Sequence, residues 1–195
     1  NGKAVWCGNS VLEHSTYTFA IEGVSRVFTG EMNRHRAGVA VSEGSMRYIR
    51  FTDIPWWVPT SIRQNDSDSP ELAEKKRLTR ESFSRVYQFV EGEYSKLVDL
   101  WKLDTDKSLP FHVKKVITSC LRRIVPMGVA TGGVWTMNLR AIRHIIALRT
   151  SEAAEEEIAH VFSLIAKTIL EKEPKIFGDF TQTPEGYWVP AHSKV

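Results

Sequence analysis

The chain has 195 residues, 26 Lys and Arg against 23 Asp and Glu, and a formal net charge of +3; at this length folding buries about 70% of the unfolded surface, so a core forms without staples. Cys7 and Cys120 lie far apart in unlike contexts, which excludes a disulfide framework and a metal-ligand spacing. No apolar run approaches membrane-spanning length and no secretory leader opens the chain, so a single cytoplasmic domain over residues 1–195 is predicted; because it begins abruptly at Asn1, upstream residues are expected to be missing.

Residues 15–23 alternate, with Tyr17, Phe19 and Ile21 on one face and Thr16, Thr18 and Glu22 on the other, predicting a half-buried strand that Gly23 ends. From Val24 the period changes, and Val24, Val27, Phe28 and Met32 form a helical stripe that carries Glu31 and Arg34 forward. Arg34, His35 and Arg36 then stand side by side, so they either face solvent or grip phosphate. A small-residue loop with Ala37, Gly38 and Gly44 lets the backbone approach a ligand, and Ser45 and Arg47 add donors suited to phosphate. Tyr48, Ile49 and Phe51 suggest a short extended piece, and Trp56 and Trp57, between Pro55 and Pro59, suggest packing in a rigid loop.

After a polar loop, Ser69 as N-cap, Pro70 and Glu71 open a helix whose stripe, from Phe83, Val86, Tyr87, Val90, Tyr94 and Leu97 to Val98 and Trp101, is expected to pack inward throughout. A second helix places Val113, Val116, Ile117, Cys120 and Leu121 inward and stops at Pro126. Met127–Met137 reads as a strand and Asn138–Arg149 as a helix with Leu139, Ile142, Ile145 and Ile146 inward. Residues 151–172 form a long helix with Glu155, Glu156 and Glu157 as a solvated face, and the tail with Phe177, Phe180, Tyr187 and Trp188 packs on a neighbour or wanders. From Lys107 to Ser151 there is no acidic residue but eight lysines and arginines, among them Arg122, Arg140, Arg143 and Arg149. That field suits an anionic ligand. Without interleaved stacking aromatics, a small phosphorylated ligand fits it better than nucleic acid.

Arg-His-Arg, eight residues, then Ser-x-Arg-Tyr resembles the signature of the flavin-dependent thymidylate synthases. Glu13-His14 with Tyr17 to Arg26 upstream, and Arg122 to Pro126, Trp135 to Arg140 and Ala147 to Arg149 downstream, follow the order and spacing of that family. The resemblance implies an α+β fold, a small antiparallel or mixed sheet with long packed helices, assembled as a homotetramer. It implies reduced FAD, recharged by NADPH, that helps move a methylene from methylenetetrahydrofolate to dUMP and reduces it to the methyl of dTMP. By matched position, FAD would be held by Ser10, Arg34, His35, Arg36, Glu43, Asn138, Leu139, Arg140 and His144. The nucleotide would meet Glu31, Arg34, Glu43, Gly44, Ser45, Met46, Arg47, Arg122 and Arg149, and Arg149 would act in catalysis by stabilising negative charge on the pyrimidine. No metal, nucleic acid or membrane is implied as a partner. On a helix, Arg140 and His144 share one side while Arg149 points almost oppositely, so one pocket does not easily collect both, and the site is expected where subunits meet.

Several positions depart from the family pattern: Glu31 stands for a usual glutamine, Ser42 for asparagine, His144 for asparagine, and Gly8 and Val11 for histidine and proline. A carboxylate beside a phosphorylated pyrimidine repels it unless protonated or paired with an arginine. The alternatives are therefore a related flavoenzyme acting on another pyrimidine nucleotide, or a non-catalytic nucleotide- or RNA-binding module.

Overall fold

The alternation of Tyr17, Phe19 and Ile21 with Thr16, Thr18 and Glu22 folds into strand β1 (Thr16–Ser25), the first three half-buried and the others exposed. The computed structural model describes residues 9–53 and 55–192, so Cys7 and Gly8 lie outside the described residues. Gly23 does not end the strand: its φ of +71° is absorbed within it, and Val24 and Ser25 both become buried before helix α1 (Arg26–Met32) starts. The architecture is mixed α+β. The chain divides into two compact units, one from the described parts of Asn1–Ile21, Val27–Ser42 and Gly133–Val195, the other from Glu22–Arg26 and Glu43–Gly132.

Strand β1 joins β2 (Val39–Glu43) and β3 (Ala130–Asn138) in a three-stranded sheet of order β1-β3-β2. The stretch expected as a small-residue loop after Arg36 is thus largely a strand. Phe28 of α1 meets Trp135 of β3 edge-on, ring centroids 5.8 Å apart. Asn138 ends β3 and caps helix α4 (Leu139–Arg149) by accepting the Ala141 N–H at 2.8 Å. Leu139, Ile142, Ile145 and Ile146 are buried as their spacing predicts, as are Ile158, Val161, Phe162, Ile165 and Ile169 of α5 (Glu156–Lys172). Each such aliphatic side chain contributes about 1.5–3 kcal/mol by leaving water.

Two expectations for the first unit are corrected. The glutamate run is not a solvated face: Glu155 caps α5 by accepting the N–H groups of Glu157 and Ile158, and Glu157 is only 1% exposed, so these carboxylates serve the positive end of the helix. The tail neither wanders nor waits for a neighbour. Phe177 of α6 (Pro174–Phe177), Phe180 of β4 (Phe180–Gln182) and Trp188 of β5 (Trp188–Pro190) are buried in their own chain. The strands β4 and β5 pair antiparallel, with Phe180 opposite Pro190 and Gln182 opposite Trp188.

The second unit is built on α2 (Pro70–Leu100), opened as predicted by Ser69, which accepts the Leu72 N–H at 3.3 Å with Pro70 in the first turn. Tyr94 and Val98 join Phe51, Leu103, Leu121 and Val129 in a core. The expected inward stripe holds only there: Phe83, Val86 and Trp101 are exposed, because much of this helix runs past the core. On α3 (Phe111–Leu121) the inward face is displaced from the predicted one. Val116 and Cys120 face out, while Thr118 and Leu121 are buried and the Thr118 hydroxyl is satisfied by the Lys114 carbonyl and by Arg50. Tyr48 and Ile49 lie in a turn rather than an extended piece. Trp56 stacks on Tyr87 at 5.0 Å and Arg63 sits over Trp57, so both indoles serve packing.

Candidate functional site

Helix α1 ends just after Glu31, and Arg149 is the last residue of α4. The two meet: Arg149 Nη1 donates to Glu31 Oε2 at 2.7 Å, and Arg149 Nε donates to His35 Nε2 at 2.8 Å. A ring nitrogen that accepts a hydrogen bond carries no proton, so His35 is neutral in this arrangement with its hydrogen on Nδ1. Burial first, then the charges of Arg149 and His144, push the His35 imidazole below its ordinary range, against an opposing pull from Glu31. Arg149 is only 16% exposed at its side chain and is fixed at two of its donors. The structure thus answers the repulsion expected of Glu31: the carboxylate is paired with arginine.

His35 also stands edge-on to His144, ring centroids 6.4 Å apart. His144 belongs to the side of α4 that carries Arg140, so the two imidazoles link the sides that helical geometry separates. As that geometry predicts, the cavity beside α4 takes Arg140 and His144 into its lining and leaves Arg149 out of it. Asn138, Arg140, His144, Ala37 and Gly38 line a cavity of about 790 Å³, with Glu13 at its edge in an ion pair with Arg140. Gly38 has a φ of +72°, and a Cβ there would run into the Asn138 carboxamide, so only glycine lets this turn approach the helix cap.

Other predicted cofactor residues fall elsewhere. Leu139 is 3% exposed with its N–H on the Ser15 carbonyl, so its side chain belongs to the core. Ser10 is exposed on the short turn Asn9–Glu13 and is not among the residues lining the cavity. Arg34 and Arg36 are exposed; Arg34 lies 3.9 Å from Glu31, and Arg36 has no acidic partner among the described residues.

The second unit holds the predicted nucleotide cradle. Glu43, Gly44, Ser45, Met46 and Arg122 line a cavity of about 390 Å³ together with Arg26 and Arg123. Arg26 forms an ion pair with Glu43 and donates to the Gly44 carbonyl at 2.6 Å. Sequence reasoning missed it. The available signal was that a carboxylate in a phosphate cradle needs a cation partner, and Arg26 stands 17 positions from Glu43. Arg47 is half-buried and its N–H lies 3.4 Å from Ser45 Oγ. Arg122 is exposed, at the start of a short 3₁₀ turn after α3. Among the described residues no cluster of three or more His, Cys, Asp and Glu side chains offers a metal site, and no helix is long and apolar enough to cross a membrane.

Residues 8–175 match the family model described as thymidylate synthase complementing protein. The chain is 33% identical over 174 residues to the flavin-dependent thymidylate synthase of Mycobacteroides abscessus, covering 88% of this chain and 64% of the relative. It is 36% identical over 157 residues to that of Thermococcus onnurineus, covering 78% of this chain and 53% of the relative. The chain therefore spans less than two thirds of these relatives' length. Among solved structures, thymidylate synthase X from Helicobacter pylori with FAD and dUMP superposes with a TM-score of 0.57 at 19% identity, over 87% of this chain and 74% of that one. A UMP/dUMP methylase from Streptomyces cacaoi bound with 5-Br dUMP gives 0.65 at 20% identity, over 87% and 73%. At those identities the likeness is one of fold.

Proposed function

The chain belongs to the flavin-dependent thymidylate synthase family, and from that premise we propose that it transfers and reduces a methylene from methylenetetrahydrofolate onto dUMP to give dTMP, using FAD and NADPH. The observation that carries the reading is Arg149, held by Glu31 and by His35, whose ring meets that of His144 in the lining of the cavity shared with Asn138 and Arg140. That cavity fits a flavin: it offers amide, guanidinium and imidazole groups to ring heteroatoms, and Gly38, packed against the Asn138 carboxamide, adds no side chain to fill it. Exposed Arg34 and Arg36 would meet the pyrophosphate. Bound FAD would supply the hydride, a task no protein side chain performs.

The chain's own residues bind and polarise. Arg149, a fixed guanidinium, stabilises negative charge on the pyrimidine ring as it is activated. Glu43 to Arg47 and Arg122 hold the nucleotide and its phosphate, with Arg26 fixing Glu43 in place. The working form in this proposal is a cytoplasmic homotetramer with sites where subunits meet, and the exposed Val86, Phe89 and Leu100 of α2 are apolar surface that a second copy would cover.

The test is the visible spectrum of the purified full chain with and without dUMP, followed by dUMP-dependent NADPH oxidation in the presence of methylenetetrahydrofolate. Yellow protein and dTMP by mass spectrometry are expected; the absence of any flavin affinity overturns the proposal. The pairing of Glu31 with Arg149 favours one second reading, a preference for another pyrimidine nucleotide, as the name UMP/dUMP methylase records for a protein of like fold. Product analysis over a nucleotide panel decides between them.

A further inference from the structure

The cavity beside Asn138, Arg140 and His144 has another wall, and the segment matched by the family does not supply it. Phe180, Trp188, Val189, Pro190 and His192 come from the β4–β5 hairpin and the residues after it, whereas the match ends at residue 175. The hairpin is fastened to α4 at two points. Arg143, 4% exposed, donates to both carboxylate oxygens of Asp179 at 2.6 and 2.7 Å and to the Ile176 carbonyl, and its guanidinium lies over the Phe180 ring at 4.8 Å. Just past the end of the helix, Thr150 Oγ1 accepts the Trp188 N–H at 3.0 Å while donating to the Ile146 carbonyl at 2.8 Å. One helix thus presents Arg140 and His144 to the cavity and anchors the wall that closes it. Arg143 touches the same cavity, but its donors are committed to the hairpin, so it brings position rather than free charge.

The two linings differ in chemistry. Val189 and Pro190 are apolar, and Val189 is 48% exposed with no place in the core; Asn138, Arg140 and His144 are polar. A flat ring system with one hydrocarbon edge and one edge of carbonyls and ring nitrogens satisfies both, and the isoalloxazine ring divides in that way. We propose that the β4–β5 hairpin is a specificity-determining wall of the flavin cavity, with Val189 and Pro190 receiving the hydrocarbon edge of the ring and the Arg143–Asp179 pair as the positioning device that holds the wall. This inference rests on the flavin reading of the cavity.

The experiment is titration of FAD into the full chain, followed by flavin fluorescence, beside thermal melting of each variant. Failure of the wild type to bind FAD overturns the flavin reading and this inference with it. Given wild-type binding, Val189→Asp is expected to raise the FAD Kd about tenfold or more, since a carboxylate would be desolvated against the ring, with an unchanged melting temperature. Val189→Leu, which keeps an apolar contact, is expected to raise Kd far less than Val189→Asp. Asp179→Asn, measured well below its melting temperature, is expected to raise Kd severalfold and to alter the fine structure of the bound flavin's visible band. Asp179→Glu is expected to restore the wild-type band. A Val189→Asp protein that binds FAD within twofold of wild type sinks the wall while leaving the flavin reading intact. A folded Asp179→Asn protein with unchanged Kd and spectrum sinks the positioning role, and if that variant does not fold the Val189 pair decides alone.

Discussion

Charge is compensated differently in the arginine clusters of the two units. In the first unit every arginine of α4 has a carboxylate: Arg140 has Glu13, Arg143 has Asp179 and Arg149 has Glu31. In the second unit Arg26 has Glu43, whereas Arg122 is exposed with no acidic partner among the described residues. A cation already matched is held in one orientation and contributes a fixed dipole; an unmatched one is available to an incoming anion. The first cluster therefore suits the placing of a ring, and the second suits the gripping of a phosphate.

The comparison breaks most visibly at Arg143. Arg143→Met leaves Asp179, 12% exposed at its side chain, without its partner, and should cost about 3–5 kcal/mol. For a chain of this size that lowers the melting temperature by roughly 10 °C, read by calorimetry. Burial pushes the Asp179 carboxyl up, but the hydrogen bond and charge of Arg143 outweigh it and hold the group below its ordinary value. The stability it contributes is present above the unfolded carboxylate pKa and is lost as pH falls through the lower folded value. The Met variant should lose that acid-side dependence.

Arg149→Ala should lower kcat about 10²- to 10³-fold with little change in nucleotide KM, as for removal of a group that acts on charge developed in the transition state. Arg149→Lys keeps the charge but loses the fork shared between Glu31 and His35, and should recover only part of the rate. A rate within threefold of wild type for the alanine variant, in steady-state assays, contradicts the assignment. Arg122→Ala should do the reverse, raising nucleotide KM about tenfold, near 1.4 kcal/mol, with kcat nearly kept. The difference should vanish with a nucleoside that lacks the phosphate.

How much of this was legible in the sequence depends on the range of the interaction. Periodicity revealed β1, the cap at Ser69 and the inward residues of α4, because those follow from local geometry and apolar spacing. It failed on α2 and α3, where nothing local says how far the core extends. Arg140 and Arg149 were named as candidates by motif, whereas Arg143 entered only as one charge of a positive stretch, because its role depends on Asp179, 36 positions away, in a tail that carries no apolar period of its own. Arg26 was missed for the same reason. The partner of Glu31 was anticipated only as a need: a carboxylate in that place required a cation, and the fold supplied Arg149 from 118 positions downstream.

The smallest effect sharpens the comparison most, because it reads the matched cluster directly. His35 titrates below its ordinary range through burial first and the charge of Arg149 second. Between that lowered value and the ordinary imidazole pKa of about 6.5, the unfolded chain binds a proton that the folded chain does not, so the stability tied to this group is present above the window and declines as pH falls through it. Arg149→Gln removes the second cause and leaves the first. In an NMR titration of the His35 ring protons, its pKa should rise in the variant yet stay below the ordinary value. Glu31→Gln removes the one influence that raises the pKa and should push it lower still. If neither substitution moves the His35 titration, Arg149 is not held against the imidazole in solution, and the fixed orientation that distinguishes the α4 arginines from Arg122 is lost.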